Sequence, residues 1–138
     1  MTAFFTEGTR SYLPTSDMTA AQGFAVAIDP AGPPNGVRIA ANTGTDFIGI
    51  VTKVGQQWDA APVVAVQTYP RVVGVQTTGT AWAVADAAIA QGDAVTVATG
   101  GKIRTAIATE KVIGYAEAAA AAADDSFPLR IQSRGEAV

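Results

Sequence analysis

The sequence predicts an all-β protein: a small β-barrel or sandwich of about ten short strands with an internal duplication, an extended N-terminal arm and at most one short helix. Three observations predict it. Apolar and polar residues alternate with a period of two along much of the chain, glycine-bearing turn signals interrupt that alternation at short and fairly even spacing, and short blocks of sequence recur in the same order. A period of two sends successive side chains to opposite faces of a strand. Many short strands with glycine punctuation form a sandwich or barrel.

Taken in order, the first 19 residues stand apart. Met1 to Asp17 precede the first recurring block, hold Phe4, Phe5, Tyr12 and Leu13, and show no strand of useful length. We read residues 1–19 as an arm and 20–138 as a β-barrel domain. The arm either folds back over its own barrel or buries its apolar groups against a partner, where each is worth roughly 1.5–3 kcal/mol. Phe4, Phe5, Tyr12 and Leu13 are therefore the candidate partner-binding residues, and adding a short strand to a neighbour's sheet edge is one way for them to bind.

Strands are expected at 24–28, 37–41, 47–54, 63–69, 71–77 and 80–85. Beyond these, Val95 and Val97 alternate around Thr96, while Ile103, Thr105 and Ile107 alternate with Lys102 and Arg104. A strand over 112–116 follows, and Leu129 and Ile131 alternate around Arg130. Between them lie turn signals: Pro33-Pro34-Asn35-Gly36, Thr43-Gly44, Thr78-Gly79, Gly92-Asp93 and Gly100-Gly101. Ala116 to Ala123 has the best helix propensity in the chain but is too short to hold a helix unaided, so it is a short helix or an ordered loop.

The recurrence is the most informative pattern. Ala21-Gln22-Gly23-Phe24-Ala25-Val26 returns as Ala90-Gln91-Gly92-Asp93-Ala94-Val95 at an offset of 69. Ile48-Gly49-Ile50 returns as Ile113-Gly114-Tyr115 at an offset of 65, and Val64-Ala65-Val66-Gln67 as Leu129-Arg130-Ile131-Gln132 at the same offset. The slip between offsets falls in the Pro-rich loop 30–36, where insertions are tolerated. Two modules follow, about 20–67 and 89–132, joined by strands in 68–88. Gly49, Gly74 and Gly114 sit inside strands, where glycine marks a bulge or a close backbone approach.

Composition excludes much chemistry. The chain has 138 residues, no cysteine and no histidine. Disulfides, thiolate nucleophiles, Ser-His relays and the commonest transition-metal ligands are thereby absent. One domain is the expectation at this length. A net charge of −3 with nine scattered cations argues against a nucleic-acid partner. Met1 to Leu13 lacks the apolar core of a secretory leader and carries Glu7 and Arg10. No apolar run is long enough to span a membrane as a helix, so a soluble protein with no membrane partner is expected. Only 15% of residues are charged, against roughly 25% in ordinary soluble domains. Much of the surface is thus expected to be covered by other protein.

No pattern of residues assembles into a catalytic or cofactor site, and no enzyme, cofactor or metal is expected. Asp124-Asp125 reads as loop or helix-end chemistry, since shared-proton or cation sites need enclosure. Lys102 follows the Gly100-Gly101 tip instead of occupying it, unlike a swinging-arm lysine. Trp58, Trp82, Tyr69 and Tyr115 are dispersed, as core or interface aromatics are; a carbohydrate platform needs several of them coplanar and exposed.

The stretch Val72-Val73-Gly74-Val75, Ala88-Ile89-Ala90-Gln91-Gly92-Asp93-Ala94-Val95, Gly101-Lys102-Ile103, Val112-Ile113-Gly114-Tyr115-Ala116 and Leu129-Arg130-Ile131 resembles the head decoration, or capsid cement, proteins of tailed bacteriophages. The likeness covers about residues 20–132 and is best after 68; the Pro-rich loop 30–36 is not part of that layout. It implies a structural, non-enzymatic protein on the outer surface of the virion, made in the host cytoplasm. Its implied partners are the major capsid protein lattice and itself, as a homotrimer or alternatively a dimer. The alternative function is a carbohydrate-binding or host-adhesion module on the virion surface.

Overall fold

The computed structural model describes residues 9–54 and 72–132. Their regular structure is ten strands: β1 (Thr9–Pro14), β2 (Ala25–Ile28), β3 (Gly36–Ile39), β4 (Phe47–Val54), β5 (Val73–Gln76), β6 (Gly79–Val84), β7 (Ala94–Val97), β8 (Ile103–Thr105), β9 (Gly114–Ala116) and β10 (Ser126–Ile131). The all-β expectation holds. Alternation is clearest where one face meets water: β10 buries Phe127, Leu129 and Ile131, and β6 buries Ala81 and Ala83 while exposing Thr80 and Trp82.

β1 to β5 close into a barrel in the order β1-β3-β2-β4-β5. β1 runs antiparallel to β5 from Thr9↔Gln76 to Tyr12↔Val73, and parallel to β3 through Leu13↔Gly36 and Pro14↔Val37. β6 to β10 form a second sheet in the order β6-β10-β9-β7-β8. The connectivity is the same in both: β2 pairs with β3 and β4, and β4 with β5, as β7 pairs with β8 and β9, and β9 with β10. β1 pairs with β5 as β6 pairs with β10. Where the barrel closes through the parallel β1–β3 pair, the second sheet has a single parallel bridge, Ala85↔Ile103.

The repetition extends to individual hydrogen bonds. Gly23 donates to Val51 and Val51 to Phe24; Gly92 donates to Ala116 and Ala116 to Asp93. Ala40 donates to Ala25 as Ala106 donates to Ala94. Gly23 and Gly92 hold φ of 88° and 89°, a left-handed conformation that costs glycine nothing. Arg38 in β3 and Arg104 in β8 each reach the carbonyl of the next residue at 3.3 Å and pair with a carboxylate further on, Asp46 and Glu110. This recurrence, Val37-Arg38-Ile39-Ala40 and Ile103-Arg104-Thr105-Ala106, was legible in the sequence but not recognised there.

Two apolar clusters result. Met18, Ala21, Val26, Val37, Val51, Val73 and Val75 fill the barrel. Phe47, Ile50, Ala25 and Ala27 of the barrel join Val95, Ile103, Ile113, Phe127 and Leu129 of the second sheet in the other. β2 is thus buried on both faces, Val26 toward one cluster and Ala25 and Ala27 toward the other. Hydrogen bonds from Ala25 to Gly101 and from Thr43 to Val97 tie the two sheets backbone to backbone, and buried Thr96 donates to the Thr43 carbonyl.

Several expectations change. In the segment 1–19, residues Thr9–Pro14 are a barrel strand and Met18 is in the barrel core. From Thr9 onward, therefore, the segment folds back and is no separate arm. The strand escaped notice because Thr-Arg-Ser-Tyr-Leu-Pro has no apolar period; backbone pairing with two distant strands makes it. By connectivity the repeated unit runs 9–76 and 79–131, so β5 and β6 belong to different units instead of joining modules 20–67 and 89–132. Register pairs Ile50 with Gln76 and Tyr115 with Arg130, making Gln76, not Ala65, the counterpart of Arg130. Of the two readings offered for Ala116 to Ala123, the ordered loop is the one found, following Ala116 at the end of β9: Ala120 and Ile89 exchange backbone hydrogen bonds, and Asp125 accepts the Ala121 and Ala122 amides at 3.1 Å. Ile107 lies past β8 in a turn, with its amide donated to Glu110. The strand expected at 63–69 lies outside the described residues, as do Trp58 and Tyr69.

Glycine inside strands has the predicted meaning. The β2–β4 register shifts at Val26/Ala27, beside Gly49, and the β4–β5 register shifts between Val51 and Lys53, beside Gly74. Gly114 is a close approach: a β-carbon there would collide with the Arg130 carbonyl.

Candidate functional site

Of the four candidate partner-binding residues, Phe4 and Phe5 lie outside the described residues. Tyr12 and Leu13 are neighbours on β1 and point to opposite faces, as strand geometry requires. Tyr12 packs against the barrel cluster. Leu13 is 42% exposed, and Val72, which follows the last β1–β5 register pair on the opposite strand, is 41% exposed. Continued one step past Tyr12↔Val73, the β1–β5 register brings these two exposed side chains opposite each other, on the face away from Tyr12.

A second feature lies between the barrel and β6. Trp82 is 66% exposed and adjoins a cleft of about 270 Å³. Buried Val51 and Ala81 line it along with four polar side chains, Gln22, Thr52, Gln76 and Thr80. The polar groups are anchored by their donors. Gln22 Nε2 donates to the Thr52 carbonyl at 3.2 Å, Gln76 Nε2 to the Thr78 carbonyl at 2.8 Å, Thr52 Oγ1 to the Gly74 carbonyl at 3.3 Å and Thr80 Oγ1 to Glu117 at 3.1 Å. Alternation along β6 puts Thr80 and Trp82 on one face; bringing them against Thr52 and Gln76 takes the packing of the two units, which no local pattern announces. Tyr115, half-buried on β9, is not part of this cleft.

The remaining polar chemistry is structural. Arg104 grips Glu110 with both terminal nitrogens, at 2.7 and 2.6 Å, and also donates to Asn42 of the first unit at 3.3 Å. That guanidinium, helped by the Ile107 amide, holds the Glu110 carboxyl down to about 2. Arg130, then Thr80, lowers Glu117. Asp124, held at φ 71°, pairs with Lys102 and raises its pKa. Asp124-Asp125 therefore serves the loop, as expected, one carboxylate on a lysine and the other on backbone amides. Among the described residues no group of three or more carboxylates is gathered as a metal site.

No protein-family model matches the chain, and no curated protein matches it. Its fold is similar to a solved structure described as the head fiber gp8.5 N base in bacteriophage phi29, with a TM-score of 0.57 and 15% sequence identity, over 94% of this chain and 96% of that one. At that identity the likeness is one of fold.

Proposed function

We propose that this chain is a structural component of a tailed-phage head: a decoration or cement protein that binds the exterior of the expanded shell and holds neighbouring coat subunits together. The observation that carries the reading is the correspondence of fold along nearly the whole of both chains with the base of a phage head fiber. The decoration-protein motifs at 72–131 support it from the sequence. So does the low charge, which suits a molecule whose faces are covered by neighbours.

The mechanism is linkage. A protein that binds the expanded lattice in preference to other states stabilises it by about 2.7 kcal/mol per site at a hundredfold excess over Kd. Repetition over a shell multiplies that contribution, and a closed homotrimer with several weak footholds gains avidity. We assign the Leu13–Val72 pair, together with Phe4 and Phe5, to the coat contact.

Co-sedimentation tests the reading. The purified chain should pellet with mature expanded heads and remain in the supernatant with compact precursors, and Leu13→Asp should release it while leaving its melting temperature unchanged. Failure to pellet with either particle would overturn the proposal.

A further inference from the structure

We propose that the Trp82 cleft is a binding site for a neutral saccharide ring. Its chemistry selects the class. An indole two-thirds exposed offers the flat apolar face on which the C–H face of a pyranose stacks; this is a contact for one ring at the edge of a cleft, not the platform of several coplanar aromatics that a long glycan needs. The hydrogen-bonding groups are complementary to sugar hydroxyls. With both threonine hydroxyl hydrogens and one amide hydrogen of each glutamine committed to the protein, Gln22 Oε1, Gln76 Oε1, Thr52 Oγ1 and Thr80 Oγ1 retain acceptor capacity and find no donor among the described residues, while each glutamine keeps a second N–H that a sugar oxygen can accept. Hydroxyl groups supply the missing donors, and the anchored amides need little ordering to receive them.

Charge narrows the class further. Among the described residues no lysine, arginine, aspartate or glutamate lines the cleft, so they offer neither a phosphate nor an amine a counter-charge there. The adjacent carboxylate, Glu117, is neutralised by Arg130 at 2.7 Å. The volume, about 270 Å³, sits near the lower end of small-molecule sites, which run from about 300 to 1,000 Å³. That is room for a ring or a short saccharide end. The site is independent of the coat contact assigned above, since Leu13 and Val72 do not line it.

The test uses the full chain labelled with ¹⁵N and titrated with methyl glucoside, methyl galactoside, methyl mannoside and N-acetylglucosamine. At least one probe should shift the Trp82 indole N–H and the Gln22 and Gln76 side-chain amides together and saturably. Trp82→Ala should weaken that binding by about tenfold or more, and Leu13→Ser should leave it unchanged. Should Trp82→Ala disturb the fold, Gln22→Ala, at an exposed position outside the strands, carries the same expectation of weakened binding. Absence of a shift with all four probes, or shifts that survive both substitutions undiminished, would overturn the proposal.

Discussion

A β-carbon built on Gly114 would collide with the carbonyl oxygen of Arg130 on the neighbouring strand and would lie 2.9 Å from Leu129 Cδ1. Gly49 stands in the same relation to Gln76, with Val75 Cγ1 at 2.7 Å. Backbone cannot retreat from such a contact without breaking the β9–β10 or β4–β5 ladder. Gly114→Ala and Gly49→Ala should each cost about 3 kcal/mol or prevent folding. Gly74→Ala, whose β-carbon meets nothing closer than 3.5 Å, should cost under about 1 kcal/mol. Chemical denaturation of the three variants checks the contrast.

Acid should remove the contribution of the Arg104–Glu110 grip. Because folding lowers the Glu110 carboxyl from 4.5 to about 2, its contribution is fully present above about pH 4.5 and disappears as pH falls through about 2. Glu110→Gln should therefore melt below the parent protein at neutral pH and converge with it near pH 2. Melting temperatures of the two proteins across that range give the answer.

The shared apolar cluster should make unfolding a single event. Phe127 is fully buried in β10, within the cluster to which Phe47 and Ile50 of the barrel also belong. Phe127→Ala should cost about 3–5 kcal/mol. It should shift one transition without splitting it into two, and calorimetric against van't Hoff enthalpy is the measurement.

Truncation should separate the coat-binding part of the N-terminal segment from its folding part. Removing residues 1–8 leaves every β1 pair in place, so the barrel should keep its melting temperature while losing affinity for heads if Phe4 and Phe5 contribute. Removing 1–14 takes out the strand that closes the barrel between β3 and β5 and should leave an unfolded chain. Melting curves and co-sedimentation of both truncations separate these outcomes.

Strand positions were legible wherever one face is wet, because water on one side and core on the other writes a period of two into the sequence. β6 and β10 are of this kind, and the recurring Gly23 and Gly92 turns were legible as glycine punctuation. What local pattern could not disclose was long-range pairing. β1 carries no period, yet two distant strands hold it; Ile107 continues the alternation of β8, yet Glu110 diverts its amide into a turn. The Ala116 to Ala123 run has helical propensity, but Ile89 and Asp125 take the amides of residues 120–122. The cleft was invisible for the same reason, since Trp82 meets Gln22, Thr52 and Gln76 only when two units pack.

The lone bridge between Ala85 and Ile103 gives the molecule a seam. Where the barrel is zipped by consecutive pairs, its counterpart is fastened at one point, beside the Asp86 amide that donates to Ile103. Thermal breathing will begin there, and deuterium should enter that amide ahead of those in β2 and β4.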